Sequence, residues 1–143
     1  MSWMITDRGE LEGTCYIEIL PGKFQGECWN SQSVFFDEEH FGFIEPTIIR
    51  HCPEHDHYTF TDIDKTMWED ILADLQRLHQ SIGDASRLSD LRGEVDLFFT
   101  TTKQRFLEAE ADNMQNLRQM LNDFILWARN TLESHDSMAV LGM

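Results

Sequence analysis

The sequence predicts an α+β fold, a single domain over residues 1–143 in which an antiparallel or mixed β-sheet packs against two long helices. Short β-branched and aromatic segments separated by turn residues fill the first third of the chain. Two apolar stripes at helical spacing begin at Trp68 and at Phe106. A short apolar tail, Ser137 to Gly142, follows the second stripe and has the length of a returning strand.

Residues 14–20, Thr-Cys-Tyr-Ile-Glu-Ile-Leu, read as a first strand. Pro21-Gly22 is a turn signal, and residues 23–29, with Phe24 and Trp29, read as a second strand. Asn30-Ser31-Gln32 turns the chain into a third, Ser33 to Phe36, and tight connections of this kind favour an antiparallel meander. Asp37-Glu38-Glu39 can begin a short helix, because carboxylates favour helix N-termini, with Pro46 ending it or starting another turn. Residues 57–63 alternate well enough for a fourth strand. Thr66 and Glu69 have capping-box spacing ahead of Trp68, Ile71, Leu72, Leu75, Leu78 and Ile82, which predicts a helix over 65–82 stopped by Gly83. Residues 84–93 read as a connection or a short helix, and Glu94 to Thr101 as a further strand. The second long helix is expected over 103–133, its stripe running Phe106, Leu107, Met114, Leu117, Leu121, Phe124, Ile125, Ala128 and Leu132. The weak step between Leu107 and Met114 places a kink or break near Asp112-Asn113.

Composition narrows the function. The 143 residues carry 11 Lys and Arg against 26 Asp and Glu, a formal net charge of −15. Nucleic acids and anionic membranes would repel such a surface, whereas a basic protein partner would be steered toward it. The charge is uneven: Asp37 to Asp74 holds 11 acids and only Arg50 and Lys65 as bases. No apolar run approaches the roughly 18 residues of a membrane span. Met1 to Glu10 shows no basic segment followed by an apolar stretch, so a cytoplasmic protein is expected. The three cysteines, Cys15, Cys28 and Cys52, then read as reduced thiols, with Cys15 and Cys28 in the core.

The segment His51-Cys52-Pro53-Glu54-His55-Asp56-His57 is the one concentration of potential metal ligands. On an extended backbone His55 and His57 project to the same side, and a metal-dependent hydrolase using His51, His55 and His57 is the enzyme reading this permits. A second ligand pair is missing, so no bound metal and no cofactor are expected. The nucleophile-elbow, dinucleotide and phosphate-loop motifs do not occur, and the expectation is that the chain is not an enzyme.

The acidic stretch is the better candidate for function. Glu38, Glu39, Glu45, Glu54, Asp56, Asp62 and Asp64 alternate with Phe36, Phe41, Phe43, Tyr58 and Phe60. Carboxylates accept charge-assisted hydrogen bonds from Arg and Lys while aromatics supply anchors, so these acids are the candidate partner-binding residues. Phe36, Phe43 and Phe60 are expected in the core. Glu38, Glu39 and Glu45 read as turn and surface positions, so reversing them to Lys should leave the fold intact.

Three segments together resemble immunity proteins of bacterial polymorphic or contact-dependent growth inhibition toxin systems. They are Phe35-Phe36-Asp37-Glu38-Glu39-His40-Phe41, the run Tyr58 to Ile63 leading into the helix with Trp68, and Trp127 to Gly142. The resemblance implies a cytoplasmic protein that binds and neutralises a cognate toxin, often a nuclease, by occluding its active site. Nucleases bind polyanions and tend to be basic, which suits the charge of −15. An acidic adaptor for some other basic protein is the remaining reading of the same surface.

Overall fold

The computed structural model describes residues 3–13, 15–84, 104 and 106–142. Its centre is a five-stranded antiparallel sheet of β1 (Met4–Ile5), β2 (Tyr16–Pro21), β3 (Val34–Asp37), β4 (Phe60–Asp64) and β5 (Ser137–Leu141), in the order β1-β3-β2-β5-β4. Between β3 and β4 lie two short helices, α1 (Glu38–Phe41) and α2 (Glu45–His51). The long helices are α3 (Lys65–Asp84) and α4 (Glu110–Leu132). None of the described helices is long and apolar enough to cross a membrane.

Strand alternation sorts the two faces of the sheet. Ile17, Ile19, Val34, Phe36, Ile63, Met138 and Val140 join the main core with the helices. Trp68, Ile71, Leu72, Leu75, Leu78 and Ile82 of α3 meet Leu117, Leu121, Phe124, Ile125, Ala128 and Leu132 of α4 there, as the helical spacing predicts. The opposite, outer face carries Glu18, Leu20, Phe35, Phe60, Ala139 and Leu141, aligned by the registers Glu18↔Phe35, Glu18↔Leu141 and Phe60↔Leu141.

Several expectations are corrected. Residues 23–29 form no strand; they begin an irregular loop laid over the outer face. Acidic side chains take backbone N–H groups of this loop that a strand would have given to a neighbour. Asp62 accepts from Phe24 at 3.1 Å, and Glu18 accepts from Trp29 at 2.6 Å and Asn30 at 3.0 Å. Gly26 and Trp29 have positive φ, which regular extended strand backbone does not adopt. Pro46 does not end a helix but sits in the first turn of α2, where its missing N–H has no intrahelical role. Phe60 is 47% exposed because Ile63, not Phe60, takes the inward side of β4. Leu107 is likewise 47% exposed, beside a buried Phe106. Cys15 and Cys28 are exposed, and the buried thiol is Cys52. The break in the last helical region falls at Ala109, three residues early, where Asn113 Nδ2 donates to the Phe106 carbonyl at 3.0 Å. Gly83 lies within α3 rather than stopping it at Ile82. The strand expected at Glu94 to Thr101, and most of the connection before it, fall outside the described residues.

The start of α3 is also not the capping box. The helix begins at Lys65, and the Asp64 carboxylate accepts the Met67 N–H at 2.8 Å, while Thr66 is exposed. Asp64→Ala is therefore expected to destabilise by about 0.5–2 kcal/mol and Thr66→Ala by much less, in urea melts of the two variants side by side. Equal effects would return the cap to Thr66.

Candidate functional site

The segment between α2 and β4 divides the ligand-rich sequence rather than gathering it. His51, at the end of α2, pairs with Asp74 of α3, which also takes Arg77. His55 and His57 do share a side, as their spacing of two predicts, and both turn inward onto Glu45 in the first turn of α2.

Glu45 is 0% exposed, which corrects its reading as a surface position. Its Oε2 lies 3.4 Å from His55 Nε2 and its Oε1 lies 3.0 Å from His57 Nδ1. The other nitrogen of His55 faces the Thr61 hydroxyl at 2.9 Å, and that of His57 faces Glu38 Oε1 at 2.6 Å. Thus α1, α2, the loop and β4 are tied by one chain of polar contacts: Glu38, His57, Glu45, His55, Thr61. A ring with a carboxylate on each nitrogen satisfies both only as the imidazolium, which donates two N–H groups. Burial pulls the His57 pKa down, but the hydrogen bonds its ring donates to Glu38 and Glu45, and the charges of both carboxylates, outweigh it, and the pKa is raised. Every ring nitrogen of His55 and His57 has a protein partner. Among the described residues no group of three or more His, Cys, Asp or Glu side chains is placed to hold a metal ion. His51 is thus turned to Asp74, while His55 and His57 are turned to Glu45.

The same segment presents a different surface on its outer side. Tyr58 is 71% exposed, and its ring stands edge-on to the buried His57 ring at a centroid distance of 5.0 Å. Phe60 is braced edge-on by Phe24, also at 5.0 Å. The backbone beneath them is held on two sides. Gly142 N–H donates to the Thr59 carbonyl at 3.0 Å, and a Cβ at Gly142 would come within 2.5 Å of the His57 carbonyl oxygen, so only glycine allows this approach.

Flanking these two aromatics along the chain are Glu54, Asp56, Asp62 and Asp64, all exposed. Three of them are fixed by the backbone: Asp56 Oδ1 accepts from Tyr58 N–H at 2.7 Å, Asp62 Oδ1 from Phe24 and Asp64 Oδ1 from Met67. Each binds these donors through Oδ1, so its Oδ2 is turned to a known direction. Glu39 is half-buried in α1, and Glu38 commits an oxygen to His57. The seven acids therefore divide into an exposed group, Glu54 and Asp56 in the loop before β4 with Asp62 and Asp64 on it, and an inward pair, Glu38 and Glu45, with Glu39 between. Sequence reasoning gave no hint of the division, because a Glu in the first turn of a helix ordinarily faces water. It also passed over Glu18, a buried carboxylate on the outer face of β2.

No protein-family model, no curated protein and no solved structure matches the chain.

Proposed function

We propose that this chain is an acidic immunity-type inhibitor that binds a basic, nuclease-type toxin domain and occludes its active site. The observation that carries the reading is the exposure of Tyr58 and Phe60 at the edge of four exposed carboxylates. Aromatic anchors ringed by charge are what an interface with a basic protein requires. The net charge of −15 supplies long-range attraction, which raises the association rate at low salt. Glu54, Asp56, Asp62 and Asp64 form the contact set, with Glu39 at its margin. Glu38 and Glu45 support it from inside.

The test is co-expression with toxin domains encoded beside its gene, scored by growth, followed by binding kinetics at two salt concentrations. Tyr58→Ala and Phe60→Ala are each expected to weaken binding by about 2 kcal/mol or more, chiefly through faster dissociation. Glu54→Lys should instead slow association, with the deficit shrinking as salt rises. A Tyr58→Ala/Phe60→Ala double variant that protects cells as well as the parent chain would move the interface elsewhere.

A further inference from the structure

On the outer face, one strand along from Phe60, a cleft of about 290 Å³ opens between the sheet and the loop that follows β2. Its walls include Tyr16, Glu18, Cys28, Trp29, Phe35 and Leu141. Three of these are aromatic and mutually packed. Trp29 stacks on Phe35 with centroids 5.9 Å apart and an interplanar angle of 27°, and Tyr16 meets Trp29 edge-on, also at 5.9 Å.

Glu18 is 4% exposed, and its partners among the described residues are all neutral donors. Its Oε2 takes Asn30 N–H and Asn30 Nδ2, both at 3.0 Å, and the Ser33 hydroxyl at 2.5 Å. Among the described residues its Oε1 takes only the Trp29 N–H, at 2.6 Å. Among the described residues no cation lies within ion-pair distance of this carboxylate. Arg8 reaches the turn, but its Nη1 donates to the Trp29 carbonyl at 3.0 Å. The four described donors satisfy much of the Glu18 carboxylate, but they are unevenly shared, and Oε1 with a single described donor keeps a lone-pair site for a further N–H. The Trp29 backbone adds a second sign: its φ of 66° is rare for a bulky residue and sets the indole against the cleft.

We infer that this cleft receives an arginine side chain of the basic partner, with the guanidinium between the aromatic rings and Glu18. A planar guanidinium stacks on aromatic faces and carries several N–H donors in a fixed fork, which an ammonium cannot reproduce. The inference rests on the proposed function, since it assigns one contact of that interface. The Cys28 thiol at the rim, though exposed, is pushed up in pKa by partial desolvation and by the Glu18 charge, so it stays protonated.

The probe is N-acetyl-arginine amide, read by ligand-observed saturation-transfer NMR at physiological salt, with N-acetyl-citrulline amide as its uncharged isostere. The parent chain should give saturable transfer to the arginine side-chain signals, and citrulline should bind at least tenfold more weakly. Trp29→Asn removes the indole yet suits the left-handed backbone, because asparagine tolerates positive φ. It should weaken arginine at least tenfold while leaving the thermal melt nearly unchanged. Absence of saturable arginine binding, equal binding of citrulline, or unchanged binding by the Trp29→Asn variant would each overturn the inference. None of these results touches growth protection through Tyr58 and Phe60, so the two proposals fail separately.

Discussion

Glu45→Ala is expected to destabilise the protein by about 3–5 kcal/mol, because it strips a fully buried partner from two histidines at once. Glu45→Lys should be worse, placing a cation against the His57 imidazolium. The charge reversal of Glu38, Glu39 and Glu45 that the sequence suggests as harmless should therefore not fold. Glu45→Gln, which keeps an acceptor, should fall between parent and alanine. The same contacts give a pH dependence. A histidine whose folded pKa is raised contributes stability that is complete below its unfolded value of about 6.5 and is lost as pH rises through the folded value. Parent stability in urea melts should therefore decline as pH climbs above 6.5 through that raised value, and the Glu45→Ala variant should decline less. A parent profile flat across this window, or a Glu45→Ala loss below about 1 kcal/mol, would show that the network is not closed as described.

Trp68→Ala should cost about 3–5 kcal/mol for a different reason. The indole is 0% exposed and packs edge-on to Phe124 at 6.1 Å, so its removal leaves a cavity between α3, α4 and the sheet. It also deletes the Nε1–H bond to the Met138 carbonyl at 3.0 Å, which ties α3 to β5. Trp68→Phe refills most of the volume but leaves that carbonyl without its donor, and should cost less than alanine while remaining clearly destabilising. Denaturant midpoints of the three proteins decide the order. A Trp68→Phe variant as stable as the parent would mean that the hydrogen bond contributes nothing net.

The parts of the fold legible in the sequence are those that obey a period. The stripe from Trp68 to Ile82 repeats at 3.6 residues and is the α3 core face; the alternation Ile17-Glu18-Ile19 is β2. Asp37 before Glu38-Glu39 marks a helix start, and its carboxylate does accept the Glu39 N–H at 2.9 Å. The segment 23–29 failed because its composition suits a strand while its backbone donors find carboxylates on other elements, a competition that no local window contains.

For the candidate site the division is sharper. The charge of −15, its concentration between Asp37 and Asp74, and the shared side of His55 and His57 were all present in the order of residues. Which carboxylates face a partner and which face the interior was not. Glu45 and Glu54 are the same residue type nine positions apart, yet one lies at 0% exposure between two imidazoles and the other faces water. That choice follows from where α2 delivers its first turn relative to the loop before β4. A buried carboxylate persists only where its partners come from segments brought together by folding, and here those partners, His55 and His57, reach Glu45 only after the chain has turned back on itself.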